Sequence, residues 1–410
     1  MKTKFTLVIV LIIALFTPGS AQWTNITTNA TQELNAVAFS GNNGVIGGIS
    51  GNFLYSSDAG LTWQDSVYYP YDEIHAAAFA SPTVAIMGSL NNFYRSTNSG
   101  ADFTGPDHHG TWGTCQDIVF TSATNGYAID DYCSIATTTD GGQSWAITAH
   151  ACANNSTMHD LDFPTASVGY ACGANGNVVK TTDGGATWAS VTAPGVATVA
   201  YTAMQFFDTN TGYIGGRTGT GQDTFVFKKT TDGGATWIDM KYGMLNSGIG
   251  FGSAIQSFSF VDQNTGYLVL LNKIYKTTDG AASWTLDYTS TVGVSDFNKI
   301  VVSPNVIMAV GTNGLAARLT GTQATGITET KSIKALSVYP NPSSSTITLG
   351  SFLVANQNAF LEITDAGGRI VKAEKIATNE VDIAPFSPGI YFGKLISSDQ
   401  NTYTFKFVKQ

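Results

Sequence analysis

Charge is scarce in this sequence. Asp, Glu, Lys and Arg make up 12% of the 410 residues, and the acidic ones outnumber the basic by 29 to 20. A balance so thin and acidic excludes the basic patches with which proteins displace counterions from nucleic acid. A disordered chain is excluded as well, because that class lacks aromatics and here Phe, Trp and Tyr reach 11%. Proline is sparse at 11 residues, whereas glycine reaches 44 without a collagen-like period. Much glycine and tryptophan with little proline describes many strands joined by tight turns. Long apolar runs are missing beyond the N-terminus. There, FTLVIVLIIALF (Phe5–Phe16) follows Lys2 and Lys4 and precedes Gly19, Ser20 and Ala21. Twelve residues are too few to span a bilayer, so residues 1–21 read as a cleaved export signal, and the expected mature chain has no transmembrane helix.

Cysteine is nearly absent, and the four present (Cys115, Cys133, Cys152 and Cys172) cluster in one stretch. An exported chain with an even, clustered set suggests disulfides, and no C-x2-C pair points to zinc. Antiparallel pairing would bring the end of one strand beside the start of its neighbour. The expected pairs are therefore Cys115–Cys133 and Cys152–Cys172, with no metal and no cofactor.

What the sequence has in abundance is repetition. TTDGGQSW (Thr138–Trp145), TTDGGATW (Thr181–Trp188 and Thr230–Trp237) and TTDGAASW (Thr277–Trp284) follow SSDAGLTW (Ser56–Trp63) and a degenerate STNSGADF (Ser96–Phe103). Their third positions stand 40 to 49 residues apart, the range of a four-stranded propeller blade. Upstream of each box lie an apolar run ending in Phe (Phe39, Phe79, Phe120, Phe163, Phe206, Phe260) and then, in four units, a Gly-Tyr pair. Each unit reads as strand, turn, strand, turn, strand, box, strand. A seventh unit near 298–320 lacks a box, and Gln22–Ile26 (QWTNI) looks like its missing fourth strand. Joining the ends in one blade would close the ring and remove the open sheet edge. The box resembles the Asp-box of BNR repeats. That resemblance gives Asp58, Asp140, Asp183, Asp232 and Asp279 a structural role in their own turns.

The last eighty residues have a different pattern. After a polar linker, runs that alternate apolar and polar residues predict a small antiparallel sandwich. Tyr339-Pro340-Asn341-Pro342, Asp365-x-x-Gly368-Arg369, Pro388-Gly389-Ile390-Tyr391 and Lys406–Gln410 with Lys409 stand in order. They resemble a type A sorting domain of the type IX secretion system. The resemblance implies contact with that machinery, passage through the periplasm of a Gram-negative bacterium, and release or anchoring at the outer surface. The expected fold is thus all-β. A signal (1–21) precedes a seven-bladed β-propeller (22–322), a linker (323–334) and a β-sandwich (335–410).

BNR propellers include sialidases, which grip a carboxylate with several arginines. The propeller segment has only Arg95, Arg217 and Arg318, of which Arg217 alone stands outside the repeat pattern. It holds 10 basic and 22 acidic residues, a net charge of −12, which argues against anionic ligands. Hydrolysis of a neutral glycan by two carboxylates remains the alternative, with Asp72, Glu73, Asp107, Asp130, Asp131, Asp223 and Asp296 as off-pattern candidates. All five histidines and all four cysteines fall on one expected face of the second to fourth blades. A ligand surface is expected there, with Trp112, Tyr132, Arg217 and Tyr242 as contacts. Across the propeller, the TTDGGATW and NGY pattern resembles the family of photosystem II assembly factors. That resemblance implies a non-enzymatic binding module with an unidentified protein or glycan ligand.

Overall fold

The computed structural model describes residues 22–66, 72–108, 112–150, 156–191, 199–218, 225–240, 254–320, 334–349, 359–365, 370–376, 378–396 and 402–410. The chain divides into two compact units, residues 1–327 and 328–410.

The first unit contains seven antiparallel four-stranded sheets. Their inner strands are Leu34–Ser40, Ala76–Ser81, Cys115–Phe120, Met158–Asp162, Val199–Phe206, Ser257–Phe260 and Phe297–Ser303 (blades 1 to 7). Each inner strand packs against the next, and that of blade 7 packs against that of blade 1, so the ring closes. The closure is the one the repeat predicts. Gln22–Asn25 pairs with Ala316–Thr320 as the outer strand of blade 7, with Trp23 opposite Leu319. Trp23 is buried, and its indole N–H donates to Asp287 Oδ2 at 2.7 Å in blade 6.

Repeat residues make the blades cohere. The Phe that ends an inner strand lies on the Gly of the second strand. A Cβ added at Gly126, Gly169, Gly212 or Gly266 would come within 2.4–2.6 Å of that ring. The following Tyr reaches the next blade. Tyr170 stacks on Phe206 at 3.7 Å, and its hydroxyl donates to the carbonyls of Thr209 and Gly233. Tyr127 and Tyr213 repeat the contact on Phe163 and Phe260. The cation before the box is a second latch. Arg95 Nε donates to Gly141 O (2.9 Å), Lys180 Nζ to Gly233 O (3.1 Å) and Arg318 Nε to Ala59 O (2.6 Å), the last joining blade 7 to blade 1.

The boxes close on themselves. In each, the first residue (Ser56, Ser96, Thr138, Thr181, Thr230 or Thr277) is buried and accepts the N–H four residues on. The Asp accepts the N–H and hydroxyl of the Thr or Ser four residues after itself, as in Asp183 with Thr187 (2.9 and 2.6 Å). Those bonds, the hydroxyl first, hold the Asp183 carboxyl down to about 2.

The thiols correct the expected pairing. Cys115 and Cys172, one from each expected disulfide, are free and fully buried. Cys115 occupies the slot that Leu34, Ile74, Met158, Tyr201, Ile255 and Phe297 fill in the other blades, all of them buried. Cys172 likewise takes the place of the buried Ile129 of blade 3 and Val269 of blade 6. Both are small apolar core residues, so neither can reach a partner. Cys152 lies outside the described residues.

The second unit pairs a five-stranded sheet with a three-stranded one. Its core comprises Ile347, Leu349, Leu361, Ile363, Leu395, Phe405 and Phe407. The motif residues meet in space. Asn341 Nδ2 donates to Lys406 O (3.0 Å), and Val408 N–H donates to Asn341 Oδ1 (2.9 Å), lacing the Pro340-Asn341-Pro342 turn to the final strand. Gly389 pairs with Lys409, and Tyr391 stacks on Phe407 at 5.4 Å.

Candidate functional site

The site grows from a defect that recurs in the inner strands. An inner strand is a sheet edge, and its outward N–H groups need acceptors. The preceding blade supplies them. Leu161 N–H donates to Asp117 Oδ2 (3.1 Å), Met204 N–H to Asp160 Oδ2 (2.6 Å), Phe260 N–H to Gln205 Oε1 (2.7 Å) and Ile300 N–H to Ser257 Oγ (3.3 Å). In five blades the register slips by one residue at the same place, passing over Asn35, Gln116, His159, Thr202 and Asn298. Bulges of this kind re-aim a side chain. Here all five face the central channel, and His75 and Gln256 join them from the other two blades, so every blade lines one cup of about 380 Å³. Arg217, Lys299, Ala200 and Ala254 complete the wall. The cup opens where the inner strands begin, at the end opposite the Phe residues and boxes.

Its floor carries a buried charge cluster. Lys299 Nζ lies 3.5 Å from Asp160 Oδ1 and 4.0 Å from Asp117 Oδ1. Burial, opposed by Lys299 and reinforced by Asp160, raises the Asp117 carboxyl to about 8. Asp117 therefore holds its proton at neutral pH. Deeper in the channel, burial raises Asp162 to about 7, although the Phe206 N–H it accepts opposes this. Burial also lowers the His159 imidazole, with Asp160 opposing and Arg217 assisting.

Of the expected ligand contacts, the structure brings only Arg217 into the cup. Trp112 is buried at 2% exposure against Phe93, so it is a core residue and cannot touch a ligand. Tyr132 is exposed but does not line the cup. Tyr242 lies outside the described residues. Of the off-pattern carboxylates, Glu73 pairs with His75 of the cup at 3.8 Å, and three others are committed elsewhere. Asp130 accepts the N–H groups of Gly113, Tyr132 and Ser134, Asp131 accepts that of Thr114, and Asp72 accepts the Tyr94 hydroxyl.

Sequence reasoning missed the ring, although its signal is regular. The fourth residue before each inner-strand Phe is Asn35, His75, Gln116, His159, Thr202 or Gln256, with Asn298 in the seventh unit. It is always polar, and it always follows a buried apolar residue.

Comparison with known proteins agrees with this architecture. Residues 337–410 match the secretion system C-terminal sorting domain, and residues 150–303 match the photosynthesis system II assembly factor YCF48. No curated protein matches the chain. Among solved structures, YCF48 from Cyanidioschyzon merolae is 17% identical over 73% of this chain and 99% of its own, with a TM-score of 0.60. YCF48 bound to D1 peptide is 16% identical over 73% and 97%, with a TM-score of 0.59. The WD40 propeller domain of Doa1 is 10% identical over 75% and 99%, with a TM-score of 0.57. At such identities these structures show the fold alone. The chain thus joins a YCF48-like BNR propeller to a C-terminal sorting domain of the type IX secretion system.

Proposed function

We propose that the protein is an exported, non-catalytic binding module that holds a polypeptide in the cup at the mouth of its channel. Residues 1–21 serve as its signal into the periplasm. The sorting domain then delivers it to the outer surface or the medium. One observation carries the binding role: each of the seven blades contributes one polar side chain, five of them at a bulge, to a single cavity. Ring closure alone does not require polar residues there, and a cavity of about 380 Å³ falls in the range of ligand pockets. The carboxamides of Asn35, Gln116, Gln256 and Asn298 each combine a donor and an acceptor, as a peptide group does. Among the described residues the lining has no aromatic ring on which a sugar could stack. A YCF48 with D1 peptide bound is among the similar structures, and a peptide is the ligand class we carry over.

Hydrolysis of a neutral glycan draws no support from the cup. Asp117 and Asp160 beneath it pair with Lys299 and accept backbone N–H groups, Glu33 accepts from Asn298, and Glu73 pairs with His75. Carboxyls so committed do not supply the free acid and base that a glycosidase requires. The test is a peptide and oligosaccharide array probed with the mature full-length chain. Peptide binding that falls about tenfold or more in His159→Ala/Gln256→Ala, and not in Tyr132→Ala, is the expected result. Binding that follows Tyr132 would remove the cup from the proposal.

A further inference from the structure

The three propeller arginines are used differently. Arg95 and Arg318 each spend their Nε–H on a box carbonyl of the next blade. Arg217 sits on the second strand of blade 5 opposite Ala200, exposed at the rim of the cup. Among the described residues it has no hydrogen-bond or ion-pair partner. Two neighbours in the lining, His159 and Gln256, have side chains that are also unpartnered among the described residues. Among the described residues no carboxylate lines the cup, although the propeller holds 22 acidic residues. Lys299 forms part of the wall and is paired with Asp117 and Asp160 beneath it. The local balance therefore opposes the global one. A surface with a net charge of −12 surrounds a mouth with a spare guanidinium, and the carboxylates beside that mouth, Glu33 and Glu73, are taken up by Asn298 (2.8 Å) and His75 (3.8 Å).

Resting on the reading of the cup as a peptide site, we infer that what it recognises is a carboxylate of the peptide, gripped by Arg217 beside His159. A guanidinium offers paired N–H donors in the geometry of a carboxylate. His159 supplies a further donor, and Gln256 is placed to take the adjoining peptide group. Partial enclosure strengthens such a pair relative to open water. The acidic exterior then acts as a filter, repelling polyanions while the mouth accepts one carboxylate at the end of an extended segment.

The test uses the mature full-length chain and three versions of each peptide that binds on the array. These have a free C-terminal carboxylate, a C-terminal amide, or a C-terminal amide with one internal Asp or Glu. An oligogalacturonate serves as the sugar arm. A preference of about tenfold or more for one carboxylate-bearing version over the plain amide is expected, lost in Arg217→Gln and partly kept in Arg217→Lys. Comparing the first and third versions tells a chain terminus from a side chain. Thermal melts check that both variants fold, as an exposed residue without partners should allow. Equal binding of acids and amides, or a preference unchanged in Arg217→Gln, overturns this inference and leaves the peptide cup standing. Binding of oligogalacturonate with no peptide bound, or no binding at all, overturns both.

Discussion

At the scale of single residues, the repeat consists of contacts between neighbours in space. Gly169 exists for the Phe163 ring, because a Cβ there would meet it at 2.5 Å. Gly169→Ala should therefore cost about 1–3 kcal/mol through overpacking, read as a fall in thermal midpoint. Tyr170→Phe keeps the stack on Phe206 but loses the hydroxyl bonds to Thr209 and Gly233, so about 0.5–1.5 kcal/mol is expected. A larger loss for Tyr170→Phe than for Gly169→Ala would contradict this ranking. The Phe, Gly and Tyr were visible in the sequence because they recur. Arg217 stood out for the opposite reason, as the one arginine outside the pattern. Trp112 misled, because an aromatic in a loop segment reads the same whether it faces solvent or the Phe93 ring.

At the scale of elements, the weakest joint is where the chain ends meet. Gln22–Asn25 is held to blade 7 by its ladder and to blade 6 by the Trp23–Asp287 bond, and Arg318 clamps blade 7 to blade 1. Deleting residues 22–26 would expose Ala316–Thr320 as an open edge. The expected outcome is a lower melting temperature with association on size exclusion, whereas trimming at residue 21 should change neither. An unchanged melt for the deletion would mean that this strand does not close the ring. The closure was predictable because box-led strands share a pattern and blade 7 lacked one. The bulges were not, since one extra residue in a strand looks like any other until the partner strand supplies the register.

At the scale of the whole molecule, two sets of carboxyls pull stability in opposite directions with pH. Asp140 and Asp183 are held down to about 2 in the fold. They stabilise it above the unfolded value of about 3.9, and that stabilisation is lost as pH falls toward 2. Asp117 and Asp162 are raised to about 8 and about 7. The folded state binds their protons more tightly than the unfolded chain does, so stability falls as pH climbs from about 4 to 8. His159, lowered by burial, works weakly against this trend below its ordinary value. Melting temperatures should therefore decline from pH 5 to pH 8, and Asp117→Asn, which mimics the protonated acid, should flatten that decline. A decline equally steep in Asp117→Asn would show that the dyad does not hold the proton.

The sequence by itself determined the number of blades, the strand that closes the ring and the change to a sandwich near residue 335. Those features rest on local turn chemistry and on alternation along short strands, which need no knowledge of distant neighbours. Only the tertiary structure decided the site. Seven residues lying about forty positions apart become one cup because ring closure brings the seven inner strands around one axis and, in five blades, a bulge turns them inward. The same packing keeps Cys115 and Cys172 as core thiols and lets Asp117, Asp160 and Lys299 share their charge under the cup. It leaves Arg217 unpaired at the mouth of an otherwise acidic propeller. Distances across a closed ring are set by all blades at once, and a sequence states them one blade at a time.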